Sequence, residues 1–140
     1  MKLSLSKIAD IKDSTIQVTG SKSEANRLLI LQALYSNIKI ENLSNSDDSN
    51  YMQKAIASNE ELVDIHHAGT AMRFLTSYFA TRAGRKTILT GSERMQQRPI
   101  KILVDALKSL GADIAYQKEE GYPPIAVSYT HLTLPTTPYV

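Results

Sequence analysis

The sequence contains no cysteine and no tryptophan, and aromatic residues occupy only 6% of its 140 positions. Without cysteine there can be no disulfide, no thiolate metal site and no cysteine nucleophile. The absence also fits a reducing compartment. The remaining composition, 42% apolar and 21% charged, is typical of a globular protein. A chain of this length fits one domain better than two.

A strong charge of one sign and long apolar runs are also missing. The 16 basic and 14 acidic side chains leave a net charge of +2. That balance is too even to indicate a nucleic-acid or membrane-surface partner. No stretch approaches the roughly 18 apolar residues of a membrane span, and the first residues do not resemble a signal peptide. We therefore expect a cytoplasmic protein with no nucleic-acid and no membrane partner.

Strand-like and helix-like segments alternate along the chain, which predicts an α/β or α+β fold with helices packed on a sheet. The strand–helix–strand–helix order occurs about twice and suggests a structural repeat. Capping residues predict two of the helix starts, Pro99 is placed as the first residue of a later helix, and Gly111 is placed to end that helix. The predicted strands are 14–19, 38–42, 62–65, 86–90, 113–117 and 124–127, and the predicted helices are 21–35, 46–56, 71–82 and 99–110.

The first candidate site lies at the start of the first predicted helix. Ser21 and Glu24 form a capping box, and Lys22, Ser23 and Arg27 follow within the first two turns. Free amides and a partial positive charge at a helix start attract phosphate or carboxylate. The alternative is a capped helix with a solvated basic end.

The second candidate site follows the strand at 62–65. Gly69 lets the backbone approach a ligand, Thr70 offers a hydroxyl, and Arg73 can grip an anion with two parallel hydrogen bonds. An ordinary strand-to-helix turn is the alternative. His66 and His67 suggest a metal pair, but neighbouring residues on a strand point to opposite faces and chelate one ion poorly, so we expect no metal site.

The third candidate site is the segment 91–99, in which Arg94 and Arg98 lie four residues apart before the Pro99 helix. Two guanidinium groups so placed repel each other unless an anion lies between them. A solvated loop is the alternative. The sequence has no Gly-rich phosphate loop, dinucleotide fingerprint or nucleophile elbow. From the residues alone we predict an α/β domain that binds a small, multiply anionic ligand.

Five segments, in this order, resemble the EPSP synthase family, an enolpyruvyl transferase family. The most specific are Ala-Gly-Thr-Ala-Met-Arg at 68–73 and the long block at 89–112, which contains Arg-Pro-Ile. The resemblance covers about residues 14–127. It implies repeated βαβαββ units arranged as two lobes, of which this chain is a truncated first lobe. The matching segments are 20–27, 42–48, 68–73, 89–112 and 122–125.

The resemblance also implies an activity. The family transfers enolpyruvyl from phosphoenolpyruvate to the 5-hydroxyl of shikimate 3-phosphate in the shikimate pathway of aromatic amino-acid biosynthesis. It releases phosphate and uses no metal or organic cofactor. By matching position, Lys22, Arg73 and Arg94 would hold phosphoenolpyruvate, with a backbone donor from Gly69 beside the Thr70 hydroxyl. Ser23 and Arg27 would hold shikimate 3-phosphate, and Lys22 would also be catalytic.

The chain departs from the family pattern at several places. His67 stands where the family has asparagine, Phe74 follows Arg73 where many members have proline, and the stretch 55–65 is short. The acidic catalytic residues of the second lobe have no counterpart, so we expect no turnover by this chain alone. We therefore divide it into a partial first lobe, 1–127, and an atypical tail, 128–140, that is foreign to the pattern.

Two other readings stay open at this stage. The related transferase acting on UDP-N-acetylglucosamine uses a loop cysteine, which this sequence lacks. The alternative from another class of function is a non-catalytic domain, which binds anions or is purely structural and self-associates through unpaired sheet edges.

Overall fold

The computed structural model describes residues 3–7, 13 and 15–129. The prediction of an atypical tail at 128–140 falls mostly outside these residues, although Ser128 lies in a strand. The secondary-structure elements, in chain order, are α1 (Lys22–Leu34), α2 (Asp47–Ala57), β1 (Leu62–Asp64), α3 (Gly69–Ala80), β2 (Lys86–Thr90), α4 (Glu93–Gln96), α5 (Lys101–Ser109), β3 (Asp113–Tyr116) and β4 (Ile125–Ser128).

The four strands form one mixed sheet in the order β1-β2-β4-β3. β1 and β2 are parallel because α3 carries the chain back across the sheet between them, with Val63 opposite Leu89. β4 lies antiparallel to both β2 and β3, with Leu89 opposite Ile125 and Ile114 opposite Val127. The fold is therefore mixed α/β, as the sequence predicts.

The core lies where α3 packs against the sheet. Met72, Leu75 and Phe79 of α3 are fully buried, and α3 contacts α1, α2, α5, β2 and β4. Burial of apolar side chains contributes roughly 25 cal/mol per Å² removed from water, so the central helix organises the molecule. The other large core side chains are Met52, Ile65, Leu89, Met95, Val104, Ile125 and Val127.

Two helix boundaries follow from local sequence signals. The hydroxyl of Ser46 accepts a hydrogen bond from the Ser49 amide at 3.4 Å and caps α2. Gly111, with φ of 101°, ends α5 in the left-handed region that favours glycine. Its amide donates to Lys108 and the next amide, of Ala112, donates to Leu107, both at 2.9 Å. This pair of bonds is the glycine-terminated motif expected at a helix end.

Two other predicted features of helix starts are wrong, although Ser21 is the N-cap residue of α1 as the sequence predicts. The Ser21 side chain makes no capping hydrogen bond; this residue is exposed, so water can satisfy the first amides of α1. Pro99 is not the first residue of α5, which begins at Lys101. The preceding turn is held by tertiary bonds instead, because the Ile100 amide donates to the Gly121 carbonyl at 2.8 Å.

The predicted strands at 14–19 and 38–42 are also wrong. Residues 15–19 and 38–42 join no sheet, although Asn42 donates to the Val18 carbonyl at 3.4 Å. Ile16 is 82% exposed, so the apolar side chain of this segment is not packed against the core. A strand needs a neighbour for its backbone groups, and the described part of the chain supplies none here. In the described part of the chain the strand–helix–strand–helix order therefore occurs once, beginning at β1, rather than about twice.

Among the described residues, no helix is both long enough and apolar enough to cross a membrane.

Candidate anion-binding site

The chain leaves the parallel strands β1 and β2 at the same edge of the sheet. After β1 it passes through His66 and His67 into α3, and after β2 it passes through Gly91 and Ser92 into α4. The Ser92 amide donates to the His66 carbonyl at 2.9 Å, which fixes the two turns against each other. Open α/β sheets bind ligands at this edge.

A cavity of about 410 Å³ lies between these turns, lined by His67, Ser92, Arg94, Met95 and Arg98. The short helix α4, which sequence patterns do not predict, positions this lining. Met95 is buried and anchors α4, while Arg94 and Arg98 remain exposed on the cavity side. Neither arginine has an acidic partner in the described part of the chain. Two unpaired guanidinium groups in one cavity favour an anion.

Gly69 is the first residue of α3 and is buried beside the cavity. The first amides of a helix have no acceptor within it, and the first turn of α3 carries no acidic residue. Thr70 follows, half-buried. The predicted backbone donor and hydroxyl are therefore at the helix end nearest the arginines, because the Arg98 guanidinium lies directly over Gly69.

Arg73, one turn further along α3, contacts backbone rather than the cavity lining. Its guanidinium donates to the Gly69 carbonyl at 3.3 Å and to the Pro99 carbonyl at 3.2 Å. These bonds connect the start of α3 to the turn before α5. The sequence did not predict this bridge, and the assignment of Arg73 to phosphoenolpyruvate stays a prediction.

The residues predicted on α1 form a neighbouring group. Lys22 and Ser23 are exposed in its first turn. The Arg27 guanidinium donates to the Ser23 carbonyl at 2.6 Å and lies 5.6 Å from the Phe74 ring centre on α3. Neither Lys22 nor Ser23 is among the described residues that line the 410 Å³ cavity. The two predicted substrate groups are thus adjacent through α3 but do not share one pocket.

The two histidines correct one step of the sequence argument. Since β1 ends at Asp64, they lie in a turn, with His66 at φ of 50°, and do not point to opposite faces of a strand. Their Nδ1 atoms are 2.6 Å apart, and His67 Nε2 lies 3.5 Å from an Asp47 oxygen. Within the described ranges no group of three or more His, Cys, Asp or Glu side chains could hold a metal ion.

Sequence reasoning placed Arg94 and Arg98 around a shared anion, but it assigned no ligand role to His67, Ser92 or Met95. The arginine spacing was the available signal for Arg98. The other three depend on the approach of the β1–α3 and β2–α4 turns, which no local pattern reports.

The fold and the cavity define an α/β chain with an arginine-lined cavity at the carboxyl ends of two parallel strands. Comparison with known proteins gives the family. A sequence model described as EPSP synthase (3-phosphoshikimate 1-carboxyvinyltransferase) matches residues 53–137, and the chain belongs to this family.

Curated relatives carry the name 3-phosphoshikimate 1-carboxyvinyltransferase. One from Bacteroides fragilis is 50% identical over 134 residues, covering 95% of this chain and 32% of the relative. One from Histophilus somni is 39% identical over 155 residues, covering 90% and 36%. The chain thus spans about a third of the length of these relatives.

A solved EPSP synthase from Acinetobacter baumannii shares the fold. Its TM-score is 0.68 at 17% sequence identity, and the likeness covers 81% of this chain and 31% of the solved one. This likeness confirms the predicted enolpyruvyl transferase fold.

Proposed function

We propose that the chain carries part of the substrate site of a 3-phosphoshikimate 1-carboxyvinyltransferase. The reaction would move enolpyruvyl from phosphoenolpyruvate to the 5-hydroxyl of shikimate 3-phosphate and release phosphate. The observation that carries the proposal is the cavity at the β1 and β2 ends, where Arg94 and Arg98 lack acidic partners in the described structure. Both substrates are anionic, and their charge is complementary to that of the two arginines.

The proposed roles draw on both groups of side chains, the cavity lining and the first turns of α1. Arg94 and the α3 amides near Gly69 would hold phosphoenolpyruvate, together with Lys22 and Arg73. Ser23 and Arg27, on the exposed first turns of α1, would hold the phosphate of shikimate 3-phosphate. Thr70 would add a hydroxyl between the groups. Fixed cations and amides of this kind stabilise charge that develops in the transition state.

We expect the 140-residue chain on its own to bind substrate without turning it over. The resemblance places the acidic catalytic groups in a second lobe, and the proposed groups here are cationic or neutral. A cytoplasmic location, with small molecules as the binding partners, fits the same proposal. Family membership does not favour the alternative of a non-catalytic structural domain.

An amide NMR titration with shikimate 3-phosphate tests the proposal. Saturable shifts are expected at Ser23, Arg27 and Thr70, and Arg27→Ala should weaken binding about tenfold or more, the effect of losing a charge-assisted hydrogen bond. Arg82→Ala is the matched control, because Arg82 is an exposed arginine just beyond the opposite end of α3.

A well-dispersed spectrum with no shifts at saturating shikimate 3-phosphate would contradict the proposal for this chain. Equal weakening by Arg27→Ala and Arg82→Ala would contradict the assigned position of the phosphate.

A further inference from the structure

We propose that Arg98 is a further anion-binding residue of the cavity, and that the absence of a side chain at Gly69 lets the Arg98 guanidinium lie against the start of α3. The inference rests on the proposed function and deepens it. It adds a residue for the anionic, phosphorylated substrate and explains why the neighbouring position carries no side chain.

The contact between the two residues is direct. A Cβ atom built at Gly69 would lie 2.7 Å from Cζ of Arg98, a separation that real Cβ atoms essentially never show, and 3.1 Å from Nη2, which is tighter than most real Cβ contacts. Gly69 is buried and Arg98 is otherwise exposed. Because glycine has no side chain, the guanidinium group can lie where a Cβ atom would otherwise be, and a methyl group at this position would displace the guanidinium.

The backbone on both sides of this contact is fixed. The Arg98 amide donates to the Met95 carbonyl at 3.0 Å, directly after α4. Arg73 then bridges the carbonyls of Gly69 and Pro99. These bonds hold the start of α3 beside the turn after α4, and so bring the backbone of Arg98 next to Gly69 before any ligand arrives. Such preorganisation reduces the entropy lost on binding.

The charges at the cavity indicate what Arg98 binds. Arg94 and Arg98 line it together, and Asp47 lies 3.5 Å from His67 rather than against either arginine. No described carboxylate is paired with either arginine. A planar guanidinium matches the two oxygens of a carboxylate or phosphate group. Phosphoenolpyruvate carries both groups, and inorganic phosphate carries one.

A double-mutant cycle tests whether a substitution at Gly69 changes binding through the position of Arg98 or through packing that does not involve Arg98. Arg98→Ala is expected to weaken binding about tenfold or more, as for one charge-assisted hydrogen bond. Gly69→Ala should cause a similar loss in the parent chain, because the new methyl group displaces Arg98. In the Arg98→Ala background it should cause little further loss.

The experiment is an isothermal titration of the full 140-residue chain with phosphoenolpyruvate, repeated with inorganic phosphate. The variants are Arg94→Ala, Arg98→Ala, Arg98→Lys, Gly69→Ala, the Gly69→Ala/Arg98→Ala double variant and the control Arg82→Ala. Arg98→Lys should restore part of the affinity, since it keeps the charge but not the planar fork. Amide NMR dispersion verifies that each variant folds.

Three outcomes would overturn the inference. Arg98→Ala could bind as tightly as Arg82→Ala while Arg94→Ala loses affinity, which would leave the proposed function intact. The losses of binding free energy from Gly69→Ala and Arg98→Ala could be additive, which would show that Gly69 does not act through the position of the Arg98 guanidinium. The parent chain could bind neither probe, and the shikimate 3-phosphate titration would then decide the proposed function separately.

Discussion

At the scale of single residues, Asn26 is a polar side chain that is completely buried in α1. Its Oδ1 accepts a hydrogen bond from the Ser49 hydroxyl at 3.0 Å, and Ser49 lies 3.1 Å from the Ser46 hydroxyl that caps α2. Its Nδ2 has no hydrogen-bond partner among the residues that the structure describes. Asn26 belongs to the segment that resembles a substrate loop, but its contacts connect two helices.

We predict that Asn26→Ala lowers the free energy of unfolding by about 1–2 kcal/mol, because Ser49 loses its buried acceptor. Removal of the unpaired Nδ2 offsets part of the loss. Urea unfolding measures the effect, with Asn37→Ala as the control, since Asn37 is exposed. Equal unfolding midpoints for the two variants would mean that the Asn26–Ser49 bond contributes nothing measurable.

At the scale of elements, the start of α5 is linked to the turn between β3 and β4. Lys101 donates to Glu120 at 2.8 Å and lies 3.5 Å from Asp105. The hydrogen bond to Glu120 raises the pKa of Lys101, and the hydrogen bond from Lys101 lowers the pKa of Glu120 below its ordinary value of 4.5. Both groups are exposed, so the stabilisation is small and sensitive to salt.

The sign of the pH dependence follows from the lowered pKa of Glu120. A carboxyl group whose pKa is lower in the folded state stabilises the fold above its unfolded value, and this contribution is lost as the pH falls through the folded value. Glu120→Gln should therefore lower Tm slightly at pH 7. The difference from the parent chain should shrink in acid below pH 4.5, where the parent carboxylate becomes protonated.

Thermal unfolding across this pH range measures the effect, with Glu119→Gln as the neighbouring control for loss of one negative charge. A Tm difference that stays constant from pH 7 into strong acid would show that Glu120 acts through packing rather than through its charge.

Elements with a complete local signal were predicted well from the sequence. β2 has the predicted bounds, and the end of α5 at Gly111 needs only the glycine and its two hydrogen bonds. The segments 14–19 and 38–42 carry the same alternation as real strands, but a strand also requires a paired neighbour. That requirement is not local, which is why alternation alone gave two wrong strands.

At the scale of the whole molecule, the site depends on contacts between distant parts of the chain. Arg98 reaches Gly69 across 29 positions (98 − 69), and Ser92 contacts the His66 carbonyl. The sequence indicated which segments carry cations and helix starts. It did not indicate which of these segments contact each other. Only the folded chain shows that Arg94 and Arg98 line the cavity whereas Lys22 and Ser23 do not. The family resemblance identified these residues from the order of the matching segments along the sequence, which does not show which of them line the same cavity.

The sheet order also divides the molecule by expected local stability. β2 and β4 are the inner strands and are paired on both sides, whereas residues 15–19 and 39–42 have no ladder partners in the described structure. Backbone amides exchange with solvent through local opening, and core strands open least. Hydrogen exchange should therefore be slowest in β2 and β4 and fast in these two segments. Amide-resolved exchange with parallel sedimentation distinguishes two cases. Protection at 39–42 in a monomer would mean that this segment pairs within the chain, contrary to the described fold.

Protection of residues 39–42 that appears only with a dimer would instead support the predicted self-association, because the unpaired backbone would then form hydrogen bonds with a second copy of the chain.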